Sequence, residues 1–193
     1  MKPVLRDFPE EIRTERLLIR APRPGDGAAV YAAVRDSLPE LRQWMPWAAG
    51  DLPDETHYEI RVREQRAKFL LREDLWLLIF LKGTNTLAGC SGLGRINWDV
   101  PCVEIGDWVR TPLRGNGYIT EAVVGIAGFA FDVLQARRVE IRCDALNERS
   151  AAVARRAGFE HEATLHNHDR HHLTGLLRDT LIFARTAPDP PST

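Results

Sequence analysis

Cysteine, net charge and long apolar runs are all scarce in this chain of 193 residues. The three cysteines, Cys90, Cys102 and Cys143, are odd in number and far apart, and each lies in strand-like sequence. They make neither a disulfide framework nor a zinc-ligand spacing, and read as buried free thiols of a reducing cytoplasm. A formal charge of −1 leaves no global field to recruit nucleic acid or an anionic membrane surface. The strongest apolar run, Leu75–Leu81, is too short to cross a bilayer as a helix. The start, Met1-Lys2-Pro3-Val4-Leu5-Arg6-Asp7, lacks the apolar centre of a signal peptide. The expectation is a cytoplasmic protein without direct contact to nucleic acid or membrane.

What is present suits one compact domain: 44% hydrophobic and 27% charged residues, with no internal repeat or low-complexity linker. Residues 1–186 read as that domain and 187–193, rich in proline, as a flexible tail. Positive charge is local, with eight arginines between Arg110 and Arg156, which suits a small polyanion. Strands are expected over 16–21, Leu75–Leu81, 86–98, Cys102–Val109, 139–143, 159–165 and 181–184. Helices are expected over 28–35, capped by Asp26, from Asp54 toward Leu71, over 118–134, and from Asn147 to a left-handed stop at Gly158. Trp44 and Trp47 sit between prolines in a short helix or structured loop. The sum is an α+β fold on a mixed, mostly antiparallel sheet.

The most informative stretch is Val109-Arg110-Thr111-Pro112-Leu113-Arg114-Gly115-Asn116-Gly117-Tyr118-Ile119-Thr120-Glu121. A glycine loop that leaves a strand and opens a helix turns several backbone N–H groups toward one point. The helix dipole adds partial positive charge there, which makes an anion cradle. No Lys-Ser or Lys-Thr follows the second glycine, so it is not a Walker loop, and a dinucleotide fingerprint lacks its third glycine.

Arg114-Gly115-Asn116-Gly117-Tyr118-Ile119 resembles the acyl-coenzyme A pyrophosphate loop of the GNAT N-acetyltransferases, written Q/R-x-x-G-x-G/A. Asn147-Glu148-Arg149-Ser150, followed by Ala157-Gly158-Phe159, is similar to that family's next block. The segments T-E-R-L-L-I-R-A from Thr14 and L-R-Q-W-M-P-W-A from Leu41 resemble its ribosomal-protein N-terminal acetyltransferase branch. Ile119 departs from the pattern, which has Ala or Gly there; its side chain points either into helix–sheet packing or toward the pyrophosphate.

The resemblance implies a GNAT fold of six to seven strands, with acetyl-CoA in a splay between central strands and no metal. It implies cofactor contacts from Trp108, Val109, Arg110, the loop Arg114, Gly115, Asn116, Gly117, Tyr118, Ile119 and Thr120, and from Asn147 and Ser150. An amine attacks the thioester directly, an amide near Trp108 to Arg110 serves the oxyanion, and Ser150 protonates the departing thiolate. Glu104 is the first choice to accept the amine proton, through water; Asp107 has the opposite strand parity and points to the other face unless a bulge intervenes. The implied acceptor is a protein or peptide α-amino group, with a ribosomal protein first, and dimers occur among relatives. An acetyltransferase of a polyamine, amino acid or antibiotic and a non-catalytic acyl-CoA sensor are the alternatives. His161, His166, His168, His171 and His172 lie near Asp169, but 166–174 reads as a polar hairpin loop and not a metal site. Trp44, Trp47 and Tyr58 read as packing residues of a segment that covers the acceptor end of the cleft in relatives.

Overall fold

The computed structural model describes residues 2–187; the proline-rich tail, but for Ala187, lies outside the described residues. The strands are β1 (Glu11–Arg13), β2 (Leu17–Arg20), β3 (Leu75–Leu81), β4 (Leu87–Asn97), β5 (Cys102–Val109), β6 (Arg138–Asp144), β7 (Glu160–Arg170) and β8 (Leu177–Thr186). The helices are α1 (Gly27–Arg35), α2 (Leu38–Trp44), α3 (Glu55–Leu71), α4 (Tyr118–Asp132) and α5 (Glu148–Arg156). The strands form one sheet in the order β1-β2-β3-β4-β5-β6-β8-β7, antiparallel throughout except for the parallel pair β5 and β6. The sheet thus has eight strands where six to seven were expected. The extra one, β1, has three residues and too little sequence for an alternating pattern to show. Among the described residues no helix is long and apolar enough to cross a membrane.

Each face of the sheet has its own core. On one side α4 buries Ile119, Ala122, Val123, Ile126, Ala127 and Ala130 against Leu75, Leu77, Leu93, Val103, Ile105 and Val139. The apolar stripe of α4 is the period of 3.6 made physical, and each large side chain on it contributes about 1.5–3 kcal/mol. On the other side Val30, Val34, Leu41, Tyr58 and Val62 cover Leu78, Phe80, Leu87 and Cys90. Strand parity sorts β3 between the two cores: Leu75, Leu77 and Ile79 face one, Leu78 and Phe80 the other.

The helix ends follow local chemistry. Asp54 accepts the His57 amide at 2.9 Å and caps α3, and Arg72 ends it at φ 63. Asn147 Oδ1 accepts the Ser150 amide at 3.1 Å, and Gly158 follows α5 at φ +80. Asp26 does not cap α1 with its side chain. Its carboxylate instead takes both Nη atoms of Arg20 at 2.7 Å each, because that guanidinium is 9% exposed and needs a counter-charge. The region 166–174 is not all loop: β7 runs to Arg170 and pairs Asp169 with Arg178. As an edge strand with polar, exposed residues and two register shifts, β7 carries no apolar alternation to betray it.

One topological feature positions everything that follows. β5 and β6 are in register only from Cys102 to Glu104 against Arg138 to Glu140. Beyond that, β5 stays with β4 as far as Val109, while β6 follows β8 to Asp144. The two strands part and leave the inner edge of each unpaired.

Candidate active site

At the top of the parted strands sits the glycine loop. Gly115 and Gly117 hold φ of +80 and +78, a conformation costly for any residue with a Cβ. The loop is tied back by its carbonyls and side chains. Arg16 Nη1 donates to the Asn116 carbonyl at 3.0 Å, and Asn116 Nδ2 donates to the carbonyls of Leu113 and Arg114. Arg16 is itself fixed by Glu121, Nε to Oε2 at 2.6 Å. Among the described residues the amides of Gly115, Asn116, Gly117, Tyr118, Ile119 and Thr120 donate to no protein acceptor; the helix ladder starts with Glu121 donating to Gly117. Six free donors at a helix N-terminus fit a diphosphate. Ile119 is 7% exposed and packs in the core beneath α4, which settles its direction and leaves its amide available.

The arginines of the loop are more committed than expected. Arg110 Nε donates to Asp36 at 2.9 Å and holds that carboxyl below its usual range. Arg114 pairs with Glu40 at 2.9 Å. Both therefore strap the loop to α1 and α2, and Arg114, 37% exposed in its side chain, keeps its outer face to solvent.

Below the loop, strand alternation decides which β5 amides are free. The Arg110 amide donates to Ala88 at 2.8 Å, so Trp108, two residues back in the same ladder, also faces β4. Val109 and Asp107 face the gap. Of the amides expected near an oxyanion, those of Trp108 and Arg110 are thus removed and that of Val109 remains.

Cys143 of β6 feels two side chains about this gap, Ser150 in the first turn of α5 and Asp107 of β5. Burial pushes the Cys143 thiol up, while a hydrogen bond from Ser150 lowers it and the Asp107 charge is felt there. Burial alone acts on Asp107 and brings its carboxyl up to about 6. Asn147 holds Ser150 in place through the cap of α5.

Asp107 also lines a cleft of about 620 Å³ on the opposite face of the sheet, between β3, β4 and β5 and the helices α1 and α3. The strand-parity expectation placed Asp107 away from Glu104. Both residues nonetheless line the cleft. Glu104 is held by Arg95 at 3.4 Å and Arg142 at 3.3 Å; burial raises its carboxyl and the two arginines oppose that. The cleft floor carries Gly92, Gly94 and Gly106, and a Cβ at Gly94 or Gly106 would meet nothing within 4 Å. Ser91 Oγ donates to the Gly106 carbonyl at 2.9 Å and steadies that floor.

The walls include Trp47, Tyr58, Trp76 and Trp108. Trp47 is 54% exposed and stands 6.4 Å from the Trp108 ring, so it is a wall of the cleft and not core packing; Tyr58 does both, and Trp44 is not part of the lining. None of the five carboxyl-terminal histidines lines the cleft, whereas His57 of α3 does. His166 pairs with Asp179 and His172 bonds the Arg42 carbonyl, which ties the β7–β8 hairpin to α2. Among the described residues no group of three or more His, Cys, Asp or Glu could hold a metal ion. His57 and Cys143 escape sequence reasoning because each belongs to an ordinary helix or strand, and only tertiary packing and the parting of β5 from β6 bring them to the site. The three cysteines are free, with Cys90 buried and Cys102 and Cys143 only half-buried.

The acetyltransferase (GNAT) domain profile matches residues 16–160. YdaF of Bacillus subtilis strain 168, provisionally named a ribosomal N-acetyltransferase, is 25% identical over 170 residues, which cover 88% of this chain and 91% of that protein. Among solved structures, the ribosomal L7/L12 α-N-protein acetyltransferase RimL in complex with coenzyme A has a TM-score of 0.83 at 23% identity, over 92% of this chain and 98% of that one. The microcin C7 self-immunity acetyltransferase MccE, with acetyl-CoA and AMP, has a TM-score of 0.82 at 21% identity, over 93% and 98%. At these identities the two structures establish the fold.

Proposed function

This chain belongs to the GNAT acetyltransferase family, and from that premise we propose that it acetylates an α-amino group of a protein or peptide, with ribosomal proteins as the first class to examine. The observation that carries the reading is the meeting of two features at Asp107: the parted strands beneath six free amides, and a glycine-floored cleft on the other face. The naming of YdaF and RimL as ribosomal-protein enzymes supports the choice of acceptor.

Acetyl-CoA supplies the acyl group as a thioester. The amides of Gly115 to Thr120 and the dipole of α4 would hold its diphosphate, and the unpaired edge of β5 offers backbone partners to the arm that carries the sulfur. The Val109 amide is the donor available to the carbonyl oxygen as it gains charge, and it needs no reorganisation to serve. As the new C–N bond forms and the C–S bond breaks, the amine sheds a proton and the departing thiolate takes one. Ser150, in the first turn of α5, would donate to the thiolate, at a helix N-terminus where negative charge is favoured.

Two carboxylates can take the amine proton. Asp107 is the better base, because no cation opposes the burial that brings it to about 6. Glu104, restrained by Arg95 and Arg142, stands beside it as a water-relayed acceptor. A base of this strength matches an α-amino group, with a pKa of about 7.7–8.0, better than a lysine at about 10.4. The test is thiol release from acetyl-CoA with peptides beginning Ser, Ala or Met, followed by mass spectrometry of the product. Release coupled to α-N-acetylation is expected. Modification of lysine side chains only, or no release with any peptide, overturns the reading.

A further inference from the structure

The far end of the cleft contains a polar group that the chemistry above does not use. Gln65 of α3 is 8% exposed, lines the cleft, and its Oε1 has no hydrogen-bond partner. Leaving a buried amide oxygen unpaired costs about 1–3 kcal/mol, so such an atom marks a place where a donor belongs. Asp74, one residue before β3, lines the same cleft. Among the described residues its carboxylate makes no hydrogen bond or ion pair within 4.0 Å. Burial raises it, and only the more distant charges of Lys68 and Arg61 act the other way. Arg61 also lines the cleft, but its Nη1 is held by Glu64 at 3.2 Å.

The sheet register gives the distance from this end to the reacting end. Leu75 lies opposite Leu93, so Asp74 falls beside Gly94, whose other neighbour is Glu104. Asp74 and Glu104 are therefore two strand spacings apart, about 10 Å, and Asp107, three residues further along β5, is about 14 Å from Asp74. Only glycine lies between them on the floor, and Trp76 lies in the wall beside Asp74. An unpaired carboxylate, an unpaired amide oxygen and an indole ring together suit a cation that also donates hydrogen bonds.

We propose that Gln65 and Asp74 form a second acceptor subsite, which takes a cationic hydrogen-bond donor held about 14 Å from the base at the reacting end. This rests on the α-amino reading and narrows it: the peptide acceptor carries a lysine or arginine close behind its first residue. Two extended residues cover about 7 Å, and the long side chain spans the remainder. Gln65 and Asp74 discriminate among acceptors and take no part in the proton transfers.

The test titrates the intact chain with coenzyme A present, using the fluorescence of the cleft tryptophans to follow binding. The probes are two matched peptides, Ser-Ala-Lys-Gly and Ser-Ala-norleucine-Gly, and acetyl transfer to each is measured in parallel. The lysine peptide is expected to bind about tenfold more tightly, the size of one charge-assisted hydrogen bond. Asp74→Asn and Gln65→Leu should each bring that ratio below about threefold and leave the norleucine peptide within about twofold of its original affinity. Equal binding of the two peptides by the unaltered protein overturns the subsite, as does a preference that survives both substitutions. A lysine preference that collapses as described, without acetylation of either peptide, upholds the subsite and overturns the α-amino reading.

Discussion

Replacing Asp107 with asparagine should push activity and stability in opposite directions. The carboxyl moves from 3.8 to about 6 because it is buried without a cation, so the folded state holds the proton more tightly than the unfolded chain does. Stability from this group is fully present below pH 3.8 and is lost as the pH rises through about 6. At neutral pH the charged carboxylate therefore costs the fold about 3 kcal/mol. Asp107→Asn removes that cost, and thermal unfolding at pH 7 should shift upward, with the difference vanishing below pH 4. Turnover should fall by about 10²–10⁴, the range for loss of a general base. The pH profile of kcat/KM in the unaltered protein should show an ascending limb near pH 6, absent from the variant. A variant with full activity and an unchanged limb would refute the assignment. The same profile transferred to Glu104→Gln would give the base to Glu104.

Ser150→Ala should lower kcat by about tenfold to a hundredfold and leave coenzyme A affinity within about twofold, since its one contact with the carrier, at the sulfur, strengthens only as negative charge develops there; stopped-flow thiol release with calorimetric titration separates the two effects. Gly117→Val places a β-branched side chain at φ +78, so coenzyme A binding by calorimetry should be lost while the core keeps its melting transition within a few degrees. Gly94→Val enters open cleft space, and should raise KM for the amine more than about tenfold with coenzyme A affinity intact. Phe183, fully buried in the core beneath α4 and α5, should cost about 3–5 kcal/mol when cut to alanine, measured by urea unfolding.

Much of this molecule was legible before its structure, for identifiable reasons. The α4 stripe, the β3 apolar run and the Asn147 and Gly158 helix ends are local signals, and the structure places them where their periods and caps require. β1 and the outer half of β7 were missed because one is too short for a pattern and the other is a polar edge without one. Asp26 was misread because a tertiary partner, buried Arg20, outbids a local cap. The loop residues were found through glycines and a helix start, both sequence-local. Strand parity sets Asp107 behind Glu104 and Cys143 reads only as a buried thiol, since their proximity depends on where β5 leaves β6 for β4, a property of three strands at once. The wall role of Trp47 depends likewise on how the turn after α2 lies over β5.

If the amides from Gly115 to Thr120 grip the diphosphate of an acyl carrier above parted strands, a crystal structure of the protein with coenzyme A will show it. Diphosphate oxygens are expected within about 3.2 Å of those amide nitrogens, with the carrier's sulfur between Asp107 and Ser150. Coenzyme A seated elsewhere, or its sulfur on the far side of β5 from Ser150, would contradict it.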